Sequence, residues 1–88
     1  MIEGKDAVEA ANRFLRNMLG ENLRDLRLEE IELSQDGQEW DITLSFLRRG
    51  TPAALSEILA QALPREYKVV AVSATTGDVR SMRIKQFA

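Results

Sequence analysis

The stretch from Trp40 to Phe46 limits what this chain can fold into more than any other. Trp40, Ile42, Leu44 and Phe46 alternate with Asp41, Thr43 and Ser45. A period of two, filled with β-branched and aromatic residues, is the pattern of a strand that buries one face. Such a strand needs neighbours to take its backbone hydrogen bonds and a second layer to cover its apolar side.

The covering layer lies upstream. Ala7, Val8, Ala11, Phe14, Leu15, Met18 and Leu19 recur at helical spacing and form one apolar stripe. Asp6 stands where an N-cap is expected, with Glu9 three residues on, and Gly20 supplies the stop. Trp40 and Phe14 are the expected anchors between helix and sheet.

Turn residues divide the rest into strands. Residues 21–27 fit either a helical extension or the start of a strand. From Leu28 to Ser34 the pattern alternates, Ile31 and Leu33 against Glu30, Glu32 and Ser34. Asp36-Gly37 then predicts a tight turn into the Trp40 strand. After Arg48-Arg49-Gly50, Thr51-Pro52 has the form of an N-cap with proline at the first helical position. Leu55, Ile58, Leu59, Ala62 and Leu63 give a short apolar face closed by Pro64, so a short second helix is expected there, with a partly ordered connection as the alternative.

Tyr67–Ala74 is apolar or small on both faces, which predicts a central strand or one whose second face is covered. Thr76-Gly77-Asp78 turns the chain, and Val79–Phe87 is the expected last strand, with Met82 and Ile84 inward. The fold class is therefore α+β in two layers: an N-terminal helix on a four-stranded, mainly antiparallel sheet, with a short helix between strands 2 and 3. At 88 residues, 44% apolar and 30% charged, residues 1–88 fit a single domain.

The helix over Asp6–Leu19, the Trp40-Asp41-Ile42-Thr43-Leu44 strand and the Tyr67–Val79 hairpin with its Thr-Gly-Asp turn together resemble PepSY-like domains and the broader cystatin-like architecture. In that group an N-terminal helix crosses a curved antiparallel sheet. The resemblance implies a binding or inhibitory module, often acting on peptidases, and carries no catalytic residue set. Two features depart from it: such domains usually follow a leader whereas none is expected from the Met-Ile-Glu-Gly-Lys-Asp start, and the Thr51–Leu63 segment is extra. The order of Trp strand, Arg-Arg, Pro and Tyr hairpin is similar, over fewer residues, to that of small gas-vesicle accessory proteins.

Composition removes much chemistry. Without cysteine there is no disulfide, thiolate site or thiol nucleophile, and without histidine the commonest general base and transition-metal ligand are missing. The serines therefore have no imidazole to activate them. The five glycines stand apart at predicted boundaries and form no phosphate-binding loop. Of the carboxylates Glu29, Glu30, Glu32, Asp36, Glu39 and Asp41, alternation sends Glu30 and Glu32 to one face with Asp41 across from them, which makes either a weak cation site or simply a solvated acidic face. No cofactor is expected, and the chain is not expected to be an enzyme.

Charge is segregated. Residues 1–47 carry 11 acidic and 5 basic groups, and residues 48–88 carry 3 and 7. Arg48, Arg49, Arg65, Lys68, Arg80, Arg83 and Lys85 either pair with the acidic strands across the sheet or gather as a face for an acidic partner. A net charge of −2 argues against nucleic acid, and no apolar run reaches membrane-spanning length. The absence of cysteine and of a signal sequence points to the cytoplasm.

The expected role is a non-catalytic protein-binding or regulatory module, working alone or as a homodimer, with an unidentified protein partner. Arg48, Arg49, Tyr67, Val69 and Arg83 are the candidate partner-binding residues. Tyr67, Val69 and Ala71 would need cover on the face away from the first helix, from the second helix, a partner or a second copy. The alternative is a small-ligand carrier with a pocket between helix and sheet.

Overall fold

The computed structural model describes residues 1–48 and 65–85. Helix α1 spans Gly4–Leu19, followed by a 3-10 turn at Gly20–Asn22. Strands β1 (Leu23–Leu33), β2 (Glu39–Arg48), β3 (Glu66–Ser73) and β4 (Val79–Ile84) then form one sheet in the order β1-β2-β3-β4. Every neighbouring pair is antiparallel. The expected α+β class, with a helix on a four-stranded antiparallel sheet, is the observed one. The second helix expected over Thr51–Leu63 lies outside the described residues.

α1 begins one turn earlier than its sequence signals suggest. Glu3, not Asp6, is the N-cap, and Asp6 occupies the third helical position, where its carboxylate accepts the Glu3 N–H at 3.1 Å. A carboxylate in the first turn also suits the positive end of the helix dipole. Gly20 ends the helix with φ 55 and ψ −127, a conformation that side chains resist, and its N–H donates to the Arg16 carbonyl.

The buried face of α1 is Ala7, Ala11 and Leu15. These meet Ile42, Leu44 and Phe46 of β2 and Val70 and Val72 of β3, all fully buried. The two alanines bring the helix axis close to the sheet. The stripe is therefore centred on the 7-11-15 row: Phe14 is half-buried and Met18 is exposed. Trp40 is half-buried at the open end of the layer, where its indole N–H donates to the Ile2 carbonyl at 3.2 Å. The Ile2 N–H in turn reaches Ala74, so the chain start is tied across β2 and the end of β3.

Both hairpins are closed by short polar side chains. At the first, the Asp36 carboxylate accepts from the Ser34 hydroxyl (2.7 Å) and the Gln38 N–H (3.0 Å), and Gly37 takes φ 71. At the second, the Ser73 hydroxyl accepts the N–H groups of Thr75 and Thr76, and Gly77 takes φ 80. β3 is central, as its two apolar faces imply. β4 departs from expectation: Ile84, read as inward, is 68% exposed, because it is the last residue of an edge strand flanked on one side only. Phe87 lies outside the described residues.

Candidate functional site

The sheet face away from α1 is built by the odd-numbered residues of β2 and β3. Thr43 lies opposite Val69, Ser45 opposite Tyr67 and Asp41 opposite Ala71. On β1, Glu30 and Glu32 stand across from Thr43 and Asp41. On β4, Arg83 and Ser81 stand across from Val69 and Ala71. Acidic groups from β1 and β2 thus share this face with basic groups from β4.

They pair over it. Lys85 Nζ lies 3.4 Å from Glu30, a contact that joins the two edge strands above β2 and β3. Arg80 reaches Glu39 at 3.3 Å and Arg83 reaches Asp41 at 4.0 Å, each crossing β3. Of the two readings of the segregated charge, cross-sheet pairing is the one observed for these three cations. Val69, only 8% exposed, and Ala71 are buried, and Tyr67 is half-buried. The face therefore presents no bare apolar patch at these positions.

At one end of this face sits a denser network. Arg65 donates its Nε–H to the Ser45 hydroxyl at 3.0 Å and an Nη–H to Asp25 at 2.7 Å. Ser45, fully buried, donates onward to Glu29 at 2.6 Å. Asp25 is placed by a bulge in β1, where it adopts φ 51, and Arg27 also contacts it at 2.9 Å. The Arg65 hydrogen bond, with Arg27 adding to it, holds the Asp25 carboxyl below its ordinary value against a smaller desolvation. Each member of the network has a partner within the chain, so it reads as a clamp between β1, β2 and the start of β3.

Of the candidate binding residues, Tyr67, Val69 and Arg83 share the face away from α1, with Arg83 across from Val69, whereas Arg48 stands apart from them. Arg48 lies at the end of β2 on the α1 side, paired with Glu66 and 6.0 Å from the Phe46 ring centroid. Glu66 raises the Arg48 pKa through their hydrogen bond. Arg83 is on the opposite face, held toward Asp41. Arg49 is outside the described residues. Glu30, Glu32 and Asp41 share the face away from α1, with Glu32 across from Asp41, but among the described residues no three acidic side chains gather as metal ligands. No described helix is long and apolar enough to cross a membrane.

A surface that the periodicity did not flag lies along β1. Leu28, Ile31 and Leu33 face the α1 side, opposite Leu44, Ile42 and Trp40. They are nevertheless 49%, 43% and 38% exposed. β1 is an outer strand of the sheet, so this apolar row runs beside unpaired backbone groups. The missed signal was the spacing. Leu28 and Ile31 are three apart and share a face only because a bulge falls between Leu28 and Glu30. Set against known proteins, the chain matches no family model, no curated sequence and no solved structure.

Proposed function

We propose that this domain is a non-catalytic protein-binding module whose working surface is the outer edge of β1. The observation that carries the reading is the row Leu28, Ile31 and Leu33, three large apolar side chains left open along an 11-residue edge strand. A strand in that position adds an extended segment of a partner by main-chain hydrogen bonds, while the apolar row supplies side-chain contacts. The lack of histidine and cysteine supports a role without catalysis. The likeness to PepSY-like and cystatin-like domains supports a binding or inhibitory role, and the cysteine-free sequence supports action in the cytoplasm. Among the described residues, the interior between α1 and the sheet is filled by Ala11, Leu15, Ile42, Leu44 and Val70, which supports the binding reading over that of a carrier.

The test is affinity capture from native lysate with the tagged chain and a Leu28→Lys variant. Leu28 is half-exposed, so the variant keeps the parent's melting transition. The expected result is a stoichiometric protein held by the parent and lost from the variant. Undiminished capture by the variant would overturn β1 as the working surface.

A further inference from the structure

We infer that the partner of the β1 edge is a second copy of the chain, joined antiparallel across a two-fold axis at Leu28; this rests on the reading of β1 as the binding edge. β1 carries two bulges relative to β2, one between Arg24 and Arg27 and one between Leu28 and Glu30. The extra residues are Asp25, with its positive φ, and Glu29; Leu26 instead packs against the core. Without those two, the strand alternates strictly. Leu23, Leu26, Leu28, Ile31 and Leu33 face the α1 side, and Arg24, Arg27, Glu30 and Glu32 face the other.

That pattern is its own complement when reversed. About Leu28, Leu26 meets Ile31 and Leu23 meets Leu33 of the other copy. On the opposite face Arg27 meets Glu30 and Arg24 meets Glu32. Apolar residues meet apolar ones on one face, and each arginine meets a glutamate on the other. An isologous contact repeats every such pair twice.

Two side chains strengthen the assignment. Glu32 stands directly across from Asp41, a like-charged neighbour, and has no cation partner among the described residues. Arg24, four residues on the other side of Leu28, likewise has no anion partner among them. By contrast, Arg27 and Glu30 are already engaged with Asp25 and Lys85. The two β1 charges left open among the described residues are of opposite sign, lie on the same sheet face and sit at equal distances from the proposed axis. Bulges and charges ordinarily blunt a sheet edge. Here the charges are arranged to attract a reversed copy, and the apolar row beside them is exposed. The assembly is a continuous eight-stranded sheet with both β1 strands at its centre.

The experiment is sedimentation of the full chain over a concentration series, for the parent, Leu28→Lys, Arg24→Glu, Glu32→Arg and the double swap Arg24→Glu/Glu32→Arg. The parent sediments as a dimer and Leu28→Lys as a monomer. Each single swap places like charges together at two symmetric points and weakens the dimer about tenfold or more. The double swap restores it toward the parent. A parent that stays monomeric up to about 0.5 mM, well above the range of ordinary homodimers, overturns self-pairing, as does a dimer insensitive to all four variants. If such a monomeric parent still captures another protein through Leu28, the binding-module reading stands without self-pairing. If it captures nothing, both fail.

Discussion

Replacing Ser45 with alanine isolates the clamp that fixes β1 and the start of β3 to the middle of the sheet. The Ser45 hydroxyl is fully buried and makes two hydrogen bonds to ionised groups, 2.6 Å to Glu29 and 3.0 Å from Arg65. Alanine keeps the Cβ and opens almost no cavity, so the loss is nearly all hydrogen bonding. Bonds to charged groups are each worth about 1.5–3 kcal/mol. Glu29 is exposed and recovers water, which reduces its share, whereas Arg65, with 15% of its side chain exposed, loses an acceptor it cannot replace. The expected cost is therefore about 2–3 kcal/mol. In urea, with a slope of about 1–1.5 kcal/mol/M for a chain this small, the midpoint falls by about 2 M and the slope is unchanged. A double-mutant cycle with Arg65→Met should give a coupling of about 1 kcal/mol or more. A loss under about 0.5 kcal/mol with no coupling would mean that Ser45 is buried for its small size and that Arg65 holds nothing through it.

Two further outcomes follow from the same contacts. Phe46→Ala removes, from beneath α1, the largest fully buried side chain among the described residues and should cost about 3–5 kcal/mol in chemical denaturation, while Met18→Ala, on the exposed side of the helix, should stay within about 0.5 kcal/mol. Asp25 and Asp36 are both held below their ordinary values, Asp25 chiefly by the Arg65 hydrogen bond and Asp36 chiefly by the Ser34 hydroxyl. Their stabilisation is fully present above the unfolded aspartate pKa of about 3.9 and is lost as pH falls through the folded values. Thermal melts should therefore weaken on the acid side of about pH 4, and less so in an Asp25→Asn/Asp36→Asn variant.

Much of this fold can be read from the chain because its local signals agree with one another. Trp40–Phe46 has the periodicity of a strand and is one. Gly37 and Gly77 mark turns and take the positive φ that those turns require. The start of α1 departs from the Asp6 signal because two acidic residues, Glu3 and Asp6, compete for the cap, and the one earlier in the chain takes it. β1 was harder. Its first residues, Leu23–Arg27, carry a bulge that breaks the period of two, so alternation cannot reveal them. The second bulge has the same effect on the candidate site: it brings Leu28 into line with Ile31 and Leu33, a row that the bare spacing conceals. The cross-sheet ion pairs were legible as opposite charge on different strands. The clamp was not, because Asp25, Glu29, Ser45 and Arg65 are brought together by register and bulge rather than by any motif.

Whether β1 is a working edge is tested most directly by amide hydrogen exchange of the full chain, followed strand by strand as protein concentration rises. If the edge pairs with a second copy, exchange in Leu23–Leu33 slows with concentration while the other outer strand, Val79–Ile84, is unchanged. If β1 exchanges at one rate across the whole range, or if protection grows at β4 instead, the edge of β1 is not where copies of this chain meet.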